Sequence, residues 1–417
     1  MNLSLDLLKE KTNLLVPIFL VLLIFFIPIS SSIKSILIIP TLLLLLFAPY
    51  YRAYLSYALN TLWARAALIL FIYILISCFW SEAPLSMRYN VIDKYYKLIF
   101  LPILAVGFIK PQTRFWSLNS YIFVALLTCF LSILKAKNLL MINTPDPGEV
   151  FYNHIVTGFM IALGVYFAGI LVFQANINSG LRIVYIFMML LGSYQIFFIN
   201  TGRTGYVAYG ILMSLLIIQK FPPKKAFIGI MTFLGMISLI YALSPVMQTH
   251  AHMMINDIKL LQNNQTNTSL GFRIQFHHYA QSLFEKNPVI GVGTGGFQYS
   301  FSKDQPVPSW GHKLNDPHGQ YWLVLAEQGL IGLVLFIAFL GALLVTTFQL
   351  KEMKPFLLGL LVSFCMLCFS DTVFCYSTIG YLLIFFSALC FGELIEKRAH
   401  ATLKELVKNQ YELNAGS

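Results

Sequence analysis

Leu181–Gln219 reads LRIVYIFMMLLGSYQIFFINTGRTGYVAYGILMSLLIIQ. Two apolar runs, 181–198 and 204–219, flank the polar turn Asn200-Thr201-Gly202-Arg203. Crossing ~30 Å of hydrocarbon takes about 20 apolar residues in a helix, so each run reads as one membrane span. Short spans joined by a tight turn make a helical hairpin. A membrane β-barrel would instead show brief alternating segments.

The same pattern continues in both directions. Apolar runs predict spans at 14–29, 33–49, 66–80, 95–109, 118–134, 154–173, 181–198, 204–219, 226–243, 320–347, 355–373 and 376–394. The chain is 58% hydrophobic and only 11% charged over 417 residues, which excludes an ordinary soluble domain. The expectation is an all-α polytopic membrane protein of about 12 transmembrane helices. Residues 1–243 form spans 1–9, residues 244–319 one large loop between spans 9 and 10, residues 320–394 spans 10–12, and residues 395–417 a charged tail. The run 14–29 lacks a small-residue cleavage site and is followed at once by another apolar run, so it reads as a span rather than a cleaved signal.

Basic residues set the orientation. Sixteen of the 28 Lys and Arg, among them Arg52, Arg65, Arg114, Lys224, Lys351 and Arg398, fall in connections on one side. The positive-inside rule makes that side cytoplasmic. Both termini are then expected in the cytoplasm and the 244–319 loop outside, in the periplasm of a bacterium with two membranes. The net charge of +11 reads as a membrane feature. No basic cluster with interleaved aromatics points to nucleic acid. The six cysteines lie in or beside apolar runs, so no disulfide framework is indicated. Cys365-x-x-Cys368 reads as packing rather than redox chemistry.

Three polar patches fall on the predicted outer side: Asn200–Gly205, Gly271-Phe272-Arg273, and Asn315-Asp316-Pro317-His318-Gly319. Charge kept beside hydrocarbon is costly and is usually used. Two guanidiniums and one imidazole suit an anionic, phosphate-bearing substrate. Asp316-Pro317 reads as a helix cap with proline at the first helical position. That places His318 in the first turn of span 10, where the positive helix end disfavours imidazolium. A neutral His318 is a competent general base, weighed against a plain interfacial histidine. Arg203 between glycines offers a bidentate fork, weighed against interfacial snorkelling. Arg273 on its own is an ordinary loop arginine. Asp371, at the outer end of span 11, is placed to orient His318 or Arg203. His154 and His312 are secondary candidates. His250, His252, His277, His278 and His312 lack the cysteine or carboxylate company typical of a zinc site, so no metal is expected. Gly291–Gly296 lacks the Lys-Ser/Thr of a nucleotide loop and reads as a tight turn.

With Thr201-Gly202-Arg203-Thr204-Gly205, Leu270–Arg273, Asn287–Gly293, Asp316–Gly319 and Ala326–Gly332 in one order, the chain resembles the O-antigen ligase superfamily, best over roughly 200–335. It departs from many members at Gly319, where they carry asparagine. The resemblance implies a metal-independent, inverting glycosyltransferase of the bacterial inner membrane without cofactor. The donor would be a glycan on undecaprenyl diphosphate, the acceptor a lipid A–core sugar hydroxyl, and the membrane lipid itself a partner. By that resemblance Arg203 and Arg273 hold the diphosphate, His318 is the base and Asp371 its partner. Polymerases and protein O-oligosaccharyltransferases of the same superfamily share the donor. A lipid-linked glycan transporter is the rival from another class, but it would show repeats and mid-membrane charges.

Overall fold

The computed structural model describes residues 2–415 apart from 143, 145 and 176, with side chains described from 13 to 401. Eighteen α-helices make up these residues, with no strand among them. They are α1 (Asn2–Phe26), α2 (Ser31–Phe47), α3 (Pro49–Arg52), α4 (Leu55–Leu59), α5 (Leu62–Ile76), α6 (Leu85–Tyr95), α7 (Phe100–Gly107), α8 (Pro111–Ala136) and α9 (His154–Val172). There follow α10 (Ser179–Phe198), α11 (Arg203–Lys220), α12 (Pro223–Leu243), α13 (Pro245–Gln262), α14 (Ser269–Lys286), α15 (Gly296–Asp304), α16 (Gln320–Thr347), α17 (Lys354–Leu367) and α18 (Ile379–Ala415).

Six of them are long and apolar enough to cross a membrane: α8, α9, α10, α12, α16 and the 379–401 part of α18. Shorter apolar helices occupy 13–26, 31–47, 62–76 and 354–367. The expected span at 95–109 is not one helix. A 3-10 turn over Tyr96–Ile99 leads into the eight-residue α7. Pro102 sits in the first turn of α7, where its missing N–H interrupts a continuous ladder. Within the expected 244–319 loop, the stretch after the glycine-rich turn contains α15 and a 3-10 turn at Pro308–Trp310.

Burial separates the helices by role. α9 and the apolar part of α18 are buried over most of their length and stand as central posts. On α12 Ala226 alone is buried, and Phe227, Ile228, Leu234 and Leu239 point outward. A continuous exposed apolar face of that kind belongs against hydrocarbon. Ser244 caps α13 and Thr268 caps α14, each accepting the backbone N–H three residues on. The α13–α14 hairpin packs on α10, α12 and α16, over one end of the bundle.

The glycine-rich run is explained by a break in α16. Gly329 has φ +65 inside that helix. Val292 and Gly293 donate to the carbonyls of Ala326 and Glu327, while Leu330 and Ile331 donate to those of Pro288 and Val289. A Cβ on Gly291 would meet backbone at 2.5 Å. The run Asn287–Gly293 and the run Ala326–Gly332 are therefore two halves of one backbone-to-backbone contact. The amides a phosphate would need are already spent, those of Val292 and Gly293 on this contact and that of Thr294 on the Ser77 carbonyl.

Candidate active site

Two polar clusters flank the α13–α14 hairpin. The first centres on His318. Its backbone adopts the left-handed conformation at φ +53, unusual for a residue with a side chain and strained by roughly 1–2 kcal/mol. It precedes α16, whose cap is Gly319, rather than lying in the first helical turn as the Asp-Pro signal implied. Asp316 instead accepts from the His318 amide at 3.1 Å and from Thr372 Oγ1 at 2.5 Å, which holds the turn before the helix.

That turn aims the imidazole at the loop between α17 and α18. His318 Nδ1 lies 3.4 Å from Asp371 Oδ1. Asp371 is 1% exposed, and its Oδ1 also accepts from Tyr376 Oη at 2.7 Å and the Thr372 amide at 2.9 Å. Asp371 lies beyond the end of α17 at Leu367, not within a span. The bond to Asp371 raises the His318 pKa above its ordinary value, and this outweighs burial, which lowers it. A histidine held neutral by a helix terminus is thus not what the structure shows. Burial pulls the Asp371 carboxyl up, but the bonds from His318 and Tyr376 outweigh it and hold the group below its usual range. With Nδ1–H donated to Asp371, Nε2 remains as the accepting nitrogen, the arrangement of a general base with its orienting carboxylate.

α14 closes this site from above. His277 Nε2 lies 3.2 Å from the His318 carbonyl. One turn earlier, Arg273 is close enough for its charge to depress the proton affinity of both His318 and Asp371. Among the described residues it has no carboxylate ion pair. Gly319 fits because a Cβ there would stand 2.8 Å from His277 Nε2 and 3.3 Å from Trp322 Cδ1. Gln320, fully buried, ties the start of α16 in place. It donates to Tyr95 Oη at 3.3 Å and accepts from the Phe374 amide at 3.1 Å.

The second cluster holds Arg203 and His154. Arg203 opens α11 and lies 3.9 Å from Asp257 of α13. His154 Nδ1 lies 3.3 Å from Asp146 and 3.2 Å from Glu149, and Thr201 donates to Asp146. Among the described residues no hydrogen bond or ion pair joins Arg203 to His318 or Asp371, so Asp371 partners the histidine and not this arginine. The glycines around Arg203 serve the helices rather than a ligand. A Cβ on Gly202 would meet the His154 carbonyl at 2.9 Å, and one on Gly205 the Gly158 Cα at 3.2 Å. His312 is exposed and stands edge-on to Trp310, and among the described residues no hydrogen bond or ion pair joins it to either cluster.

Carboxylates converge on both histidines, which the spacing in sequence did not indicate. Asp316, His318 and Asp371, and separately Asp146, Glu149 and His154, each place three ligating atoms within 4.8 Å of one another. At the first triad a divalent ion would have to compete with the hydrogen bonds already given to Asp316 Oδ1 and Asp371 Oδ1. Tyr376, Gln320 and Asp146 escaped the sequence reading. A glutamine in the first turn of an apolar span was the one available signal.

Beside the dyad, an apolar groove of about 850 Å³ runs between α16 and α17. Tyr321 and Trp322 stand at its end nearest His318, and Leu333, Ile337, Leu344 and Val362 line its length. A multi-pass helical membrane protein with a histidine–carboxylate dyad, a free arginine and a lipid-sized groove is the class this fold and site define. Residues 186–337 match the family model described as O-antigen ligase, a match consistent with the O-antigen ligase/polymerase superfamily, whose members are glycosyltransferase-like. The matched segment includes Arg203, Arg273 and His318; Asp371 lies beyond it. No curated protein matches the chain.

Proposed function

We propose that this protein is an O-antigen ligase of the bacterial inner membrane. It transfers a glycan from undecaprenyl diphosphate to a lipid A–core sugar hydroxyl on the periplasmic face, with both termini in the cytoplasm. The observation that carries the reading is the His318–Asp371 dyad beside Arg273 at the mouth of an apolar groove, with His318 and Arg273 inside the O-antigen ligase match. His318 Nε2 takes the proton from the acceptor hydroxyl, and Asp371 stabilises the imidazolium that results. The hydroxyl oxygen attacks the anomeric carbon from the face opposite the diphosphate, which inverts the centre. Arg273 offsets the charge on the departing diphosphate, with Arg203 meeting it from the other flank of the hairpin. The polyprenyl chain lies in the groove. No metal is required for these steps.

The test is lipopolysaccharide banding by gel in a deletion strain carrying wild type, His318→Ala or Arg203→Ala. Loss of the polymer ladder from lipid A, with polymer accumulating on the carrier lipid and normal protein levels, is the expected result in both variants. A core bearing a single repeat unit would instead make the protein a polymerase. An unchanged ladder would discard the ligase reading.

A further inference from the structure

The loop 371–378 carries Asp371 and Tyr376 on one face; its other face closes a separate pocket. That pocket, of about 390 Å³, is lined by Ser31, Ser32, Lys34, Lys94, Lys97 and Ser377 among others, and Asp93 is its one carboxylate. Lys34 is 2% exposed and Lys97 1% exposed. Among the described residues neither has a carboxylate within ion-pair distance. Lys34 Nζ donates to the Ser377 carbonyl at 3.3 Å and stands 3.5 Å over the Tyr381 ring. Lys97 Nζ donates to the Phe374 carbonyl at 2.6 Å and stands 4.4 Å over the Phe374 ring. An ammonium has three N–H donors, and one acceptor is given for each.

Two ammonium groups taken out of water without counter-charge are costly. Carbonyl and ring contacts explain how they are held, but not why two cations with a third at the rim converge on one opening. Ser31 and Ser32, at the N-terminal end of the 17-residue α2, bring the positive end of that helix to the same opening. Counted with every lysine protonated, three lysines against one aspartate give a formal charge of +2, the complement of a dianion. Room for Lys97 is itself built in, since a Cβ on Gly380 would lie 2.3 Å from its Nζ.

We propose that this pocket binds a phosphate-class dianion through Lys34, Lys94 and Lys97, at a site separate from that of Arg203, Arg273 and His318. Its contents bear on the loop that carries Asp371, because Lys97 grips the Phe374 carbonyl while Gln320 grips the Phe374 amide. The phosphate belongs either to a lipid headgroup or to a soluble molecule.

The experiment uses the full chain in phosphatidylcholine nanodiscs, in an Arg203→Ala/Arg273→Ala background that removes the other cations. Binding of inorganic pyrophosphate is measured by calorimetry. Binding is expected to persist in that background and to weaken about tenfold or more in Lys34→Gln and in Lys97→Gln, while Lys34→Arg stays within a few fold. Should a buried glutamine prevent folding, Lys94→Gln at the rim is expected to weaken binding several-fold. Phosphatidic acid in the nanodisc that blocks pyrophosphate assigns the site to a lipid headgroup; binding indifferent to phosphatidic acid assigns it to a soluble phosphate. Absence of binding in the arginine-free background, or affinity unchanged in all the lysine variants, would overturn the proposal and leave the ligase reading untouched.

Discussion

At the scale of single residues, chemistry turns on one imidazole and the carboxylate that positions it. Because Asp371 raises the proton affinity of His318, the base is fully available only once pH exceeds that raised value. Transfer rate is expected to climb through an acid limb above the ordinary histidine range, near 6.5. In Asp371→Asn the limb should move to lower pH, since the neutral amide no longer favours imidazolium, while the plateau rate falls by about 10²-fold or more. A pH–rate profile of both proteins decides it; a limb that stays in place would remove Asp371 from its role. The same residues set the question of a metal. Incubation with EDTA is expected to leave transfer unchanged, and loss of activity restored by a divalent ion would turn the Asp316–His318–Asp371 triad into a ligand set. His318 was singled out by its Asp-Pro-His context, but not its left-handed backbone. The Asp-Pro pair looked like a helix start because capping and turn formation use the same side-chain-to-amide bond.

At the scale of elements, the dyad depends on how α16 begins. Gln320 makes its bonds inside an apolar bundle, so removing them leaves the Phe374 amide and Tyr95 hydroxyl without those partners. Gln320→Leu is expected to destabilise the protein by about 1–3 kcal/mol and to reduce transfer further than that loss explains, because the loop carrying Asp371 loses its anchor. Thermal unfolding in detergent together with a transfer assay separates the two effects. Transfer that falls only in proportion to folded protein would make Gln320 merely structural. The kink at Gly329 belongs to this scale as well. In sequence the glycines of 291–296 are simply a turn. Their pairing with a gap in α16 arises only when the two segments meet across the fold.

At the scale of the molecule, the question is how a lipid reaches the site. The groove between α16 and α17 is almost wholly apolar and ends beside Trp322, within one turn of His318. Gly341 lines it, and a Cβ there meets nothing within 4 Å, so a large side chain enters the groove rather than the bundle. Gly341→Trp is expected to raise KM for a long-chain polyprenyl donor several-fold while leaving a short-chain donor little affected. Equal KM values for both donors in the variant would place the chain elsewhere.

Sequence by itself determined the membrane character, the helical fold and the residues Arg203, Arg273, His318 and Asp371 as the ones to watch. Those properties follow from composition and from the rarity of charge beside hydrocarbon, and both can be read along one dimension. The 95–109 run shows the limit, since apolarity alone did not reveal that Pro102 would break it. Tertiary structure alone decided which of those residues meet. His318 and Asp371 lie 53 positions apart and touch because Gln320, through the Phe374 amide, and Asp316, through Thr372, fasten the loop to the helix start. Arg203 lies beside His154 because Gly158 and Gly205 let α9 and α11 press together, and it pairs with Asp257 of α13. Hydrophobic patterning orders segments against the membrane, whereas contacts among buried polar groups depend on helix crossings and turns that no local pattern encodes.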